Sequence, residues 1–188
     1  MNWRAVEEGT AEPVTLTEVK AHLRITHSEE DTLLNSLIAA ARCNAEDFTR
    51  RSLITRTAEV LLDEFPEDEI WLPYMPITSV TSIKYTDYED IETTLSSSKY
   101  IVDTYSRPPR IVCAYGETWP SDTLRPINGV AVRYECGGDV PDPVKQGILM
   151  YVAHLYEHRE AVYTGYTVIT TMPMGLEALY WPFRVWGW

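Results

Sequence analysis

His154-Leu155-Tyr156-Glu157-His158 is the stretch of this sequence that matches a catalytic pattern most literally. In an HxxEH motif two histidines one helical turn apart ligate zinc, and the glutamate acts as general base toward a metal-bound water. Helical periodicity around the motif puts 154 and 158 on one face. Catalytic zinc needs a third protein ligand, however, and only 30 residues follow His158, with Glu160 and Glu177 their sole carboxylates apart from the chain end. A pair of histidines on a polar helix face is the plainer reading. No GxxxxGK, GxGxxG or GxSxG stretch occurs, and no acidic turn has a calcium-loop pattern. Cys43, Cys113 and Cys136 are scattered without a CxxC. They argue against a disulfide framework or cysteine zinc site and for a reducing compartment. The expectation is a chain with no catalytic, cofactor-binding or metal site.

The elements that would carry such residues are clearest between Thr15 and Leu53. Thr15 followed by Glu18, and Ser28 followed by Asp31, are capping-box patterns, each announcing a helix. After the second, Leu33, Leu34, Leu37, Ile38, Ala41, Ala45 and Phe48 share one helical face. Arg42, Glu46 and Arg50 lie on the opposite, polar face. Pro141-Asp-Pro143 opens a second long helix, with Val144, Ile148, Leu149, Val152 and Leu155 at helical spacing to about Glu160. Residues 1–14 lack periodicity and read as an extended arm. Between the helices short β-prone runs alternate with turns: 56–63, 70–72, 79–85, 100–104, 110–115 and 130–136. The fold class expected is α+β. It is an antiparallel helical bundle, with long helices near 29–50 and 142–160, an inserted small antiparallel sheet or barrel, and an extended aromatic C-terminal tail. As one domain it divides into N-terminal helices (15–53), a β insertion (55–138), a C-terminal helix (139–160) and a tail (161–188).

Charge and aromaticity are unevenly spread. The 188 residues carry a net charge of −12, which argues against a broad nucleic-acid-binding face. From Asp63 to Glu92 nine carboxylates face one lysine, Lys84, so two-thirds of the excess sits in one stretch. Glu67, Asp68, Glu69, Glu89 and Asp90 are the candidates for a surface that repels DNA. Solvated turns that favour solubility are the plainer reading. Seven of the chain's aromatics lie in the last 26 residues, where the charge sums to zero. Tryptophan, tyrosine and arginine dominate interface hot spots, so a partner-docking tail is expected, against the alternative of folding back on its own subunit. Its residues are Leu179, Tyr180, Trp181, Pro182, Phe183, Arg184, Trp186 and Trp188. No run of 18 apolar residues occurs, and no membrane-spanning or signal segment is expected.

Taken in order, these features resemble the head–tail connector (adaptor, or head-completion) proteins of tailed bacteriophages and gene transfer agents. The resemblance rests on Leu16-Thr-Glu-Val-Lys20 with Leu23-Arg24-Ile25, then Glu30-Asp31 with Leu34, Ile38, Ala40-Ala41-Arg42 and Arg50. It continues through Pro76-Ile77, Val80, Tyr85, Gly116, Trp119-Pro120, Gly137 and Val140-Pro141, to Leu155-Tyr156, Arg159-Glu160, Leu179 and Pro182-Phe183-Arg184. Thr49 departs from it, since a glycine is expected before Arg50. The resemblance implies a structural virion protein at the head–tail interface, assembled in the host bacterial cytoplasm. It also implies a homo-oligomeric ring, dodecameric by expectation, beneath the portal protein and above a tail-side stopper or tail-terminator protein. DNA would pass through without specific binding. A ring needs a heterologous interface that closes, for which Arg24, Arg42, Glu46 and Arg50 are the candidates. The alternatives are a metal-dependent hydrolase using His154, Glu157 and His158, and a transient capsid-assembly factor.

Overall fold

The helices form where local chemistry says they should, with one exception. Residues 2–158 and 174–186 are described in a computed structural model of the chain. Helix α1 (Leu16–Leu23) starts at a complete capping box. Thr15 Oγ1 accepts the Glu18 N–H at 3.2 Å, and the Glu18 carboxylate accepts the Thr15 N–H at 2.7 Å. Helix α2 (Asp31–Thr49) does not use the box expected at Ser28. Its N-cap residue is Glu30, with no side-chain cap, and Asp31 binds Lys20 Nζ at 2.7 Å instead. Helix α3 (Asp142–Glu157) has Pro143 in its first turn, and helix α4 (Met174–Tyr180) leads into a 3-10 turn, Trp181–Phe183.

The described residues divide into two compact units. The helical unit comprises residues 11–53, 139–158 and 174–184. Its core joins Leu34, Ile38 and Ala41 of α2 to Val144, Ile148 and Val152 of α3, with Leu176 and Tyr180 of α4. Gly147 makes room for the last of these, since a Cβ there would sit 2.3 Å from the Tyr180 ring. No larger residue fits without moving α4.

The β unit comprises residues 2–10, 54–138 and 185–186. Its strands are β1 (Asn2–Glu8), β2 (Arg56–Leu62), β3 (Glu69–Trp71), β4 (Ile77–Thr86), β5 (Glu92–Thr94), β6 (Tyr100–Asp103), β7 (Arg110–Cys113) and β8 (Val130–Cys136). They make two antiparallel sheets, ordered β1-β2-β8-β4-β5 and β3-β7-β6. The segment expected to be an extended arm is therefore, over Asn2–Glu8, an edge strand of the larger sheet. It escapes a periodicity search because its partner lies some fifty residues away and its alternation stops after Ala5, with Val6, Glu7 and Glu8 all exposed. Pairing Ala58 with Tyr134 and Val60 with Val132 puts one face of the larger sheet into a core with Ile70, Leu72 and Ile111. Tyr134 anchors it, accepting from Trp3 Nε1 at 3.0 Å and donating to the Pro73 carbonyl at 2.9 Å. On the other face Glu59, buried on β2, is bound by Arg4 from β1 and Arg133 from β8.

Candidate functional site

The HxxEH residues sit on the last turn of α3 and just beyond it. His154 and His158 rings stack with centroids 4.6 Å apart, and His158 Nδ1 lies 3.0 Å from the His154 carbonyl oxygen. Tyr151 stacks on His154 from the other side, while Glu157 is exposed. Among the described residues no group of three or more His, Cys, Asp or Glu side chains is gathered as a metal would require. A stacked aromatic ladder along a helix needs no metal to explain it.

The polar face of α2 is not a free surface at Arg42 and Glu46, contrary to the expectation of intersubunit charge pairs there. Both are buried. Arg42 Nη1 binds Glu46 at 2.9 Å and its Nε binds Glu12 at 2.9 Å, while the other Glu46 oxygen accepts the Leu53 N–H at 2.7 Å. Segments before α1 and after α2 cover this face, which helix periodicity alone cannot reveal. Burial disfavours the Arg42 charge, but Glu46 and Glu12 outweigh it and raise its pKa above the ordinary arginine value. Arg24 and Arg50 remain exposed, both as left-handed C-cap residues with φ of 59° and 58°. Thr49, in the place where glycine was expected, is buried and donates its hydroxyl to the Ala45 carbonyl at 2.6 Å.

The acidic stretch separates into paired and unpaired members. Glu69 binds Arg110 at 2.8 Å, and Glu92 binds Lys84 at 2.6 Å. Asp63 and Asp87 accept backbone N–H groups, from Asn128 and from Glu89 and Ile91 respectively. Glu67, Asp68, Glu89 and Asp90 are exposed.

The tail is divided as well. Tyr180 is fully buried in its own core, and burial pushes its hydroxyl pKa up. A residue so placed cannot also dock on a partner unless α4 leaves its seat. Leu179 and Phe183 are half-buried, whereas Trp181 is 54% and Trp186 57% exposed, with Pro182 exposed between them. The Arg184 guanidinium lies 5.1 Å from the Phe48 ring centroid, and Trp181 packs against that ring at 6.4 Å. Spacing gave no sign of this cation–π cluster, because Phe48 lies on a different helix. Trp188, Tyr163 and Tyr166 fall outside the described residues, as does the expected helix end at 159–160.

Comparison with known proteins bears on these surfaces. Residues 13–108, just over half of the chain, match the model of the phage gp6-like head-tail connector protein family. No curated protein matches the chain. Among solved structures it is similar to a chain from the neck of an empty GTA particle computed with C6 symmetry, at 25% identity and TM-score 0.77, covering 100% of this chain and 97% of that one. A chain from the virion of a native gene transfer agent particle shares the fold at 22% identity and TM-score 0.80, again covering 100% and 97%. One from the neck of a native GTA particle computed with C12 symmetry does so at 24% identity and TM-score 0.77, with the same coverage.

Proposed function

The chain belongs to the phage gp6-like head–tail connector family, and from that membership we propose that it forms a ring beneath the portal that joins the DNA-filled head to the tail. It is a structural virion protein, not an enzyme. The observation that carries this reading is that the family match and the fold likeness to neck proteins coincide on one chain, the latter over its whole length. Twelve copies is the number proposed, in keeping with a similar neck computed with C12 symmetry. On the head side the portal is the proposed partner, contacted by the tail residues Trp181, Pro182 and Trp186. Repetition around a ring makes weak single contacts strong. On the tail side the partner is a stopper or terminator protein. Arg24 and Arg50 are the part of the proposed subunit interface left free of the Arg42–Glu46 pair. Exposed Glu67 and Asp68 are proposed to keep passing DNA from sticking, since like charges repel.

The test is to mix the purified protein with purified portal rings and image the mixture by electron microscopy. An added ring of density under the portal, lost in a Trp181→Ala/Trp186→Ala variant that still folds, is the expected result. No added density with the native chain would sink the connector reading. Point variants are preferable to truncation, because removing α4 would take Leu176 and Tyr180 out of the core. For the DNA surface, Glu67→Gln/Asp68→Asn particles should assemble normally yet retain or eject DNA poorly. A normal infectious titre would refute that role.

A further inference from the structure

One end of the β unit carries a cleft of about 410 Å³ that none of the surfaces above accounts for, lined by Asp63, Glu64, Phe65 and residues 120–126. Phe65 is the aromatic residue of the lining, and it is backed by a stack on Trp119 at 5.2 Å and 10° and an edge-on contact with Tyr85 at 5.8 Å. The β4–β5 turn is tied to the lining loop, with the Tyr88 N–H donating to the Thr123 carbonyl at 3.2 Å and the Arg125 N–H to the Thr86 carbonyl at 3.1 Å. That turn is itself preorganised. One Asp87 oxygen accepts the N–H groups of Glu89 at 2.8 Å and Ile91 at 3.0 Å. It holds Tyr88 70% and Ile91 55% exposed, and Ile127, next to the lining loop, is 69% exposed.

Scattered exposed apolar side chains are ordinary, but three on loops that form or are bonded to one cleft are surface of the kind that proteins bury against partners. Its charge narrows the partner. Asp63, Glu64 and Asp122 in the lining and Glu89 and Asp90 on the turn face one guanidinium, Arg125, which already donates to the Asn128 carbonyl at 3.1 and 2.8 Å. Such a rim repels nucleic acid and attracts cations.

The geometry points to a docking site for a segment of a different neck protein that presents a lysine or arginine beside an aromatic or proline side chain. The ring or proline enters the cleft against Phe65, and the cation meets the carboxylate rim. This deepens the connector reading and rests on it, because a connector must hold a second virion protein as well as the portal.

The test places the photo-cross-linker p-benzoylphenylalanine at Ile127 in the full chain, assembled into particles, and identifies the captured peptide by mass spectrometry. A peptide of another virion protein with Lys or Arg beside an aromatic or proline is expected. Its yield should fall at least about tenfold in an Asp122→Lys/Glu89→Lys background still present in particles, as charge reversal at a complementary rim requires. Capture of DNA, capture of a second copy of this chain, or no capture from particles that contain the chain would each overturn the docking site and leave the connector reading standing. Absence of the chain from particles would overturn both.

Discussion

Glu46 in the helical unit and Glu59 in the β unit look alike in a burial profile, for both are carboxylates less than a tenth exposed and bound by arginine. Their partners differ. The Arg42 side chain is 9% exposed, so both members of the Arg42–Glu46 pair are withdrawn from water. The arginines on Glu59 are 62% and 44% exposed, so each can return to solvent without leaving its strand. What a buried charge contributes thus depends on whether its partner has somewhere else to go. Glu18 completes the series as a carboxylate on the surface, hydrogen-bonded to Thr15 at the N-terminus of its own helix.

The largest effect is expected at Glu46. Glu46→Ala leaves Arg42 buried with only the Glu12 carboxylate and strips the Leu53 N–H of its acceptor. Breaking such a pair costs about 3–5 kcal/mol, read as a lowered midpoint of chemical denaturation. Replacing both partners with apolar residues, Arg42→Met/Glu46→Leu, should cost less, since no buried arginine is then stranded and the partly exposed Glu12 can turn to water, although the Leu53 N–H loses its acceptor in both variants. Equal losses in the two variants would mean that the segments covering α2 need the ions themselves. A neutral perturbation of the same unit sharpens the point. Gly147→Ala pushes a methyl against Tyr180, and overpacking of this kind costs about 1–3 kcal/mol. Protease should then cut α4 more readily. If cleavage does not change, α4 is not held by this notch.

Glu59→Ala should be milder, at about 1 kcal/mol, because Arg4 and Arg133 regain water. The loss should shrink in high salt. A loss as large as that at Glu46 would erase the distinction between the two units.

The same contrast explains what the sequence could disclose. Helix α1 was legible because Thr15 and Glu18 settle its start within four residues, and the long faces of α2 and α3 repeat with a period that needs no knowledge of the rest of the chain. Six strands were legible from their alternation, although β1 and the three-residue β5 were not, since distant pairing makes them strands rather than composition. Membership in the connector family was readable from ordered short motifs. The surfaces were harder. Arg42 and Glu46, four apart among polar neighbours, have the pattern of a solvated pair, and only the arrival of Glu12 and Leu53 buries them. Tyr180 in an aromatic tail reads as an anchor for a partner until Gly147 is seen to seat it at home. The Ser28 box failed for a similar reason, because Lys20 competes for Asp31. The cleft beside Phe65 had only a faint signal, apolar Tyr88 and Ile91 interrupting an acidic turn.

The smallest effect is expected at Glu18, and it carries a pH signature. Hydrogen bonds from the Thr15 backbone N–H, and with its side chain, hold the Glu18 pKa below the ordinary glutamate value. A carboxylate with a depressed folded-state pKa contributes stability that is present above its unfolded value and disappears as pH falls through the folded one. Glu18→Gln should therefore cost no more than about 0.5 kcal/mol at neutral pH, given its exposure. The difference from the native chain should begin to shrink below about pH 4, where the free glutamate protonates, and vanish only once the pH has fallen through the lower folded-state value. Thr15→Ala removes the hydroxyl that caps the Glu18 N–H and also donates to the Glu18 carboxylate; it should cost about 1 kcal/mol at neutral pH, of which the neutral cap's share remains at low pH. Denaturation midpoints of both variants at pH 3 and pH 7 separate the two contributions. A Glu18→Gln loss that does not shrink at all between pH 7 and pH 3 would mean that the side chain's shape, and not its charge, completes the box.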